Sequence, residues 1–173
     1  SNPRSTVGTS TEIYDYLKLL FARIGRTFSP VSGQEVRKDS VSDVIDFIQK
    51  NEGKTYTLCS PLHYETDTFK NTLNTLKLSG FTRLEINGNT ASIEDLEAFN
   101  FVPEKGMDIH LIIDRFLYED DESFLQRLAD SIQIAFYEGR GYCSLKYAEN
   151  EKVTNFSNKF ELDGIEFLEP NIH

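Results

Sequence analysis

Tryptophan is absent from this chain, methionine occurs once, cysteine twice and histidine three times, and each shortage removes a class of function. Two thiols cannot complete a four-ligand zinc site, and His63, His110 and His173 show neither i, i+4 pairing nor a nearby cysteine pair. Cys59 and Cys143 lie in predicted strands among apolar neighbours, as free thiols in a reducing compartment do. No apolar run approaches the roughly 18–20 residues of a membrane span, and no signal-peptide pattern precedes the first helix. A cytoplasmic chain without membrane contact is expected. Positive charge is scarce as well: 18 Lys and Arg stand against 28 Asp and Glu, a formal −10. Such a surface is wrong for gripping a phosphate backbone broadly. Phosphate loops are also missing, since Gly139-Arg140-Gly141 ends a helix rather than opening one.

What remains is an ordinary globular composition, 39% hydrophobic and 12% aromatic over 173 residues, enough for one domain with extra arms. Six basic against four acidic residues through position 40 leave +2 there and −12 in the remainder. The first ten residues are polar and read as an arm. Ser10 or Thr11 then caps a helix with Ile13, Leu17, Leu20 and Ile24 on its apolar face, stopped by Gly25. A turn-rich connector follows, and Ser40 opens a second helix with Asp43 at capping-box spacing.

From Lys54 the period alternates. A strand over Tyr56–Leu62, a helix over Asp67–Leu78 and a strand over Thr82–Asn87 precede the Asn87-Gly88-Asn89 turn. A short helix starts at Ser92. The apolar run Ile109–Ile113 predicts a central strand buried on both faces, feeding an amphipathic helix through Phe136 and a last strand over Tyr142–Tyr147. This order predicts an α+β fold: a split βαβ (ferredoxin-like), four-stranded, mostly antiparallel sheet with helices on one face, plus a helical N-terminal arm. Phe156, Phe160, Ile165 and Phe167 make the tail too apolar to stay unpacked.

The uncovered sheet face is expected to carry Thr57, Arg83, Glu85, His110, Asp114 and Lys146. Mixed charge there suits a wet protein contact or a solvated face. Asp114 and Arg115 interrupt the most apolar strand, so they either meet a partner or form a salt bridge that ties strand to helix. Catalytic readings are weaker. Cys59 and His63 flank Pro61 with no third group to orient them, and Asp108, Asp114 and the Glu119–Glu122 cluster read more simply as a capped helix start plus an ion pair than as a metal-dependent nuclease.

One stretch is more specific. NPRSTVGTSTEIYDYLKLLFARIG (Asn2–Gly25) resembles, nearly residue for residue over 24 positions, a run of the UvrA family, the DNA-damage recognition ATPases of the excinuclease in bacterial nucleotide excision repair. GFTRLEING (Gly80–Gly88), DIHLIIDRF (Asp108–Phe116), RLADSIQIAF (Arg127–Phe136) and NFSNKF (Asn155–Phe160) are similar to further family segments. The resemblance implies that residues 1–39 and 152–173 are two arms of an ATPase signature subdomain. Residues 40–151 would be a protruding domain that docks UvrB, the excinuclease's second component. The parent would be an ABC-type ATPase, a homodimer acting on damaged DNA. This fragment would hydrolyse nothing itself, and the parent's ATP and zinc sites would lie outside it. By match to family motifs the partner-binding residues are Arg83, Asp114 and Arg115, joined by Glu85 and Lys146 from the same face. Arg4, Ser5 and Thr6 would belong to a nucleotide- or DNA-responsive arm. Where the family carries CPxCG, this chain has Ser29-Pro30-Val31-Ser32-Gly33, and Phe160–Gly164 lacks the family's cysteines, so no metal is expected here. HYETDT (His63–Thr68) replaces a basic family segment, leaving little or no direct DNA contact. The alternative is a split-βαβ sheet binding nucleic acid directly, which would need exposed aromatics on its central strands.

Overall fold

The computed structural model describes residues 26–51 and 54–170. The helix expected before Gly25, with Arg4, Ser5 and Thr6, lies outside the described residues. The chain divides into two units, one built around residues 39–158 and the other from the flanking segments.

The larger unit opens with α1 (Val41–Gln49), fixed by a reciprocal cap. Asp43 N donates to Ser40 Oγ at 3.1 Å, and Ser40 N donates to Asp43 Oδ2 at 2.8 Å. Strand β1 (Thr55–Pro61) leads through a 3-10 turn (Thr66–Thr68) into α2 (Phe69–Leu78). Strands β2 (Arg83–Ile86) and β3 (Asn89–Ser92) form a hairpin whose turn residues Asn87 and Gly88 both have positive φ, as a two-residue turn of this hand requires. Ser92 caps α3 (Ile93–Ala98). Strand β4 (Ile109–Leu117) then passes to α4 (Glu122–Glu138), capped by Asp121, and on to β5 (Tyr142–Tyr147) and β6 (Val153–Ser157). At Gly139, which ends α4, any Cβ would collide with the Tyr142 carbonyl, so the tight entry into β5 requires glycine.

The sheet runs β3-β2-β4-β1-β5-β6 with every neighbouring pair antiparallel. Its inner four strands, β2-β4-β1-β5, have the order of a split βαβ fold, so the α+β class is as the sequence predicts. Two strands extend it. β3 comes from residues after the hairpin turn, and β6 comes from the segment that the resemblance assigns to the returning arm. Phe156 on β6 accounts for part of the tail's apolar character, since it enters the core beside Phe47.

The four helices α1–α4 of the described residues share one side of the sheet. Val44, Ile48, Leu128 and Ile132 from α1 and α4 cover Tyr56, Leu58, Phe116 and Leu145. Phe69, Leu73, Ile93 and Leu96 from α2 and α3 cover Leu84, Ile109 and Leu111. Ser60 Oγ, fully buried, donates to the Ala135 carbonyl of α4 at 2.6 Å, satisfying the one hydroxyl that β1 turns inward there. Burial of β4 alternates instead of running through, so this strand is covered on one face and not on both.

A β-bulge breaks the register of β4 against β1. Leu58 pairs with Asp114 and Cys59 with Ile112, which leaves Ile113 as the extra residue. Ile113 packs against both core clusters, and Asp114 follows it toward the helices. Two consecutive side chains therefore point inward, and Arg115 points out.

In the flanking unit, the Ser29–Gly33 turn is closed by the Phe28–Glu35 bridge. A small hairpin, β7 (Glu161–Leu162) and β8 (Ile165–Glu166), turns at Asp163 and Gly164 with positive φ at both. Among its described residues, Val36 and Phe167 supply the buried apolar side chains.

Candidate functional site

The side of the sheet away from the helices is set by strand register. Arg115, Thr57 and Lys146 stand opposite one another on β4, β1 and β5, while Glu85 on β2 stands opposite His110 on β4. The twist folds this side into a concavity of about 160 Å³ lined by Thr57, Arg83, Glu85, Ile112, Arg115 and Lys146, with Glu151 and Gly88 at its margin.

Its centre is closed by its own charges. Lys146 Nζ donates to Glu85 Oε2 at 3.1 Å, reaching from β5 to β2 across two intervening strands, and the two side chains are only 16% and 15% exposed. The register places Cys59 and Ile112 on the strands beneath this strut. Cys59 is buried, and burial, reinforced by the nearby Glu85 carboxylate, pushes its thiol up to about 12. A thiol held in that state supplies no thiolate for nucleophilic work. His63, the only imidazole near it in sequence, lies exposed beyond the strand end.

Arg83 and Arg115 differ from Lys146. Both are exposed, both line the concavity, and among the described residues neither makes an ion pair or side-chain hydrogen bond. Two guanidinium groups on one polar face, beside a neutralised lysine, present planar donor forks of the kind that pair with carboxylates.

Asp114 is not part of that surface. The bulge turns it inward, where Arg127 Nη2 donates to Oδ1 at 2.7 Å and Ser131 Oγ donates to Oδ2 at 3.1 Å. Its side chain is 14% exposed, and both partners lie on α4. The expected placement of Asp114 on the uncovered face is therefore corrected: it is the strand-to-helix tie, and Arg115 alone of the dipeptide faces outward. Straight alternation along β4 puts 113 in and 114 out, and no residue type in that run announces the extra residue. Of the other carboxylates with metal-binding chemistry, Asp108 sits 2.8 Å from His110 Nε2 and Asp121 caps α4. No group of three or more metal-ligating side chains is found among the described residues.

Ser29 and Ser32 make a joint of their own with the β7–β8 turn. Ser29 Oγ and Ser32 Oγ both donate to Asp163 Oδ2, at 2.5 and 2.6 Å, and together hold its carboxyl below the usual range. With both hydroxyl hydrogens directed at one carboxylate and no thiol or imidazole in the group, this donor set does not fit zinc.

No Phe or Tyr faces outward from the central strands: β1 and β4 present Thr57, Cys59, His110, Ile112 and Arg115 there, with the His110 ring held by Asp108 at 2.8 Å, while Tyr56 and Phe116 lie in the core. A base-stacking sheet is not built here. No helix of the described residues is long and apolar enough to cross a membrane.

Comparison with known proteins places this geometry. Residues 39–149 match the model of a family described as the UvrA interaction domain. The chain is similar to the UvrABC system protein A of Rickettsia bellii, 37% identical over 172 residues that cover 92% of this chain and 18% of that protein. It is also similar to that of Thermus thermophilus, 33% identical over 99% of this chain and 18% of the relative. For the one from Malacoplasma penetrans, identity is 39% over 81% of this chain and 15% of the relative. The chain thus spans less than a fifth of the length of these relatives.

Proposed function

Because the chain belongs to the UvrA interaction domain family, we propose that its sheet unit docks UvrB, the second component of the excinuclease that performs bacterial nucleotide excision repair. The parent is then a DNA-damage recognition ATPase of the ABC type, working as a dimer on damaged DNA, and this part of it is an adaptor without catalysis or metal of its own. The observation that carries the reading is the pair of exposed arginines, Arg83 and Arg115, without an ion-pair partner among the described residues, on one polar face of a chain whose net charge is −10. An acidic chain that keeps two guanidinium groups uncompensated on one concave surface has a binding site for acidic side chains of a partner.

Lys146 and Glu85 enter as the floor of that site and the arginines as its recognition groups. Asp114 supports the same strand from behind through Arg127. Charge reversal tests the reading. In calorimetric titration with a UvrB-type protein, Arg115→Glu is expected to lose about 2–5 kcal/mol of binding while its thermal midpoint stays that of the parent chain. Binding by the unaltered chain should weaken as salt rises. Equal affinity of Arg115→Glu and the unaltered chain would rule the arginine surface out.

A further inference from the structure

The concavity contains a third cation that is not free. Besides its bond to Glu85, Lys146 Nζ lies 3.9 Å from Glu151 Oε1 and 3.5 Å from the Gly88 carbonyl oxygen. The two carboxylates are held very differently. Glu85 is on a strand, 15% exposed and within hydrogen-bond distance. Glu151 is on the β5–β6 turn, 75% exposed, and beyond that distance. Its backbone is nevertheless fixed: Glu151 takes φ of 58°, a left-handed conformation costly for a non-glycine residue, and its N–H donates to the Tyr147 carbonyl at 2.8 Å. The turn thus aims a carboxylate at the mouth of the cationic concavity without closing a bond.

We propose that Glu151 is a placeholder for a carboxylate of the docked partner, lying over Lys146 in the free chain and displaced when the partner's acidic side chain arrives. The inference rests on the docking reading above and adds a recognition cation and a selectivity device to it. With Glu151 in place, three cations face two internal carboxylates around the concavity, which leaves the free surface a single positive charge in excess. When Glu151 leaves, Lys146 keeps its bridge to Glu85 and gains room for a second carboxylate beside Arg83 and Arg115, so the site favours a partner presenting several carboxylates over one presenting a single charge. An incoming anion must outcompete a loose internal one, which filters weak acidic surfaces by unfavourable juxtaposition.

The test uses the 173-residue chain and a UvrB-type protein in calorimetric titrations. Glu151→Gln is expected to bind about two- to fivefold more tightly than the unaltered chain, the gain from removing one exposed ionic competitor. Asp120→Asn removes an exposed carboxylate outside the concavity and should give no such gain. The benefit of Glu151→Gln should vanish when Lys146→Met is combined with it. Unchanged or weaker binding by Glu151→Gln, an equal gain from Asp120→Asn, or a gain that persists without Lys146 overturns the placeholder. Those results leave the docking reading standing as long as Arg115→Glu loses binding. A chain that fails to bind the UvrB-type protein under any condition overturns both.

Discussion

The two units of this chain are held together by opposite means. The sheet unit buries Leu58, Leu84, Leu111, Leu128 and Ile132 almost completely, and its polar ties, Ser60 to Ala135 and Asp114 to Arg127, are additions to an apolar core. Among its described residues the flanking unit has Val36 and Phe167 as its deeply buried apolar side chains, and its long-range ties are hydroxyl to carboxylate and ion pair: Ser29 and Ser32 to Asp163, and Lys38 to Glu169 at 2.6 Å. The described flanking segments bury little apolar surface between them, and directional polar bonds set their local arrangement. The difference teaches which perturbation each unit should feel: the sheet unit answers to volume, the flanking unit to proton activity.

Breaking the apolar side of this comparison has the largest expected effect. Leu58→Ala, at a position with no solvent exposure, should cost about 2–5 kcal/mol in urea unfolding of the sheet unit. Next comes the dipeptide that separates core from surface. Asp114→Asn should cost about 1–3 kcal/mol, because it weakens charge-assisted bonds to Arg127 and Ser131, whereas Arg115→Asn should stay within about 0.5 kcal/mol. Equal losses at the two positions would mean that Arg115 is also structural.

Acid then probes the flanking unit. The Asp163 carboxyl is held low by its two hydroxyl donors, so its stabilising contribution is complete above the ordinary aspartate pKa of about 4. It disappears as pH falls through the lower folded-state value. Amide signals of residues 159–170 should therefore change on acidification below about pH 4, and Asp163→Asn should abolish that dependence. The smallest effect is reserved for surface pairing: Lys77→Ala, which breaks a 2.8 Å bridge to Glu97, should change stability by less than about 1 kcal/mol.

Much of this architecture is legible in the residues. The capping box at Ser40, the N-cap at Ser92, the Asn-Gly turn and the helical stripes of α2 and α4 each act within a few residues, and local chemistry suffices to read them. The outward placement of Arg83 is legible too, by strand alternation, whereas that of Arg115 is not, because straight alternation along β4 would turn it inward. What sequence does not provide is the partner each charge chooses. Lys146 and Glu85 are 61 residues apart and meet only because the sheet twists, and Asp114 reaches Arg127 only because of a register shift. Strand β6 escapes a sequence reading for a related reason: Val153–Ser157 has little apolar content besides Val153 and Phe156, and its pairing with β5 is what makes it a strand.

Ile113 has a genetic consequence. Loss of its single codon would restore plain alternation along the strand without turning anything over: Asp114 would still look toward the helices and Arg115 away from them, at the expense of the side chain that bridges the two core clusters. Strand β2 pairs with β4 in unbroken register, so loss of Leu84's codon would have no spare residue to absorb it and would set Arg83 or Glu85 facing the core. A one-residue deletion is therefore harmless to the polar face at the bulge and ruinous to it on the strand beside it.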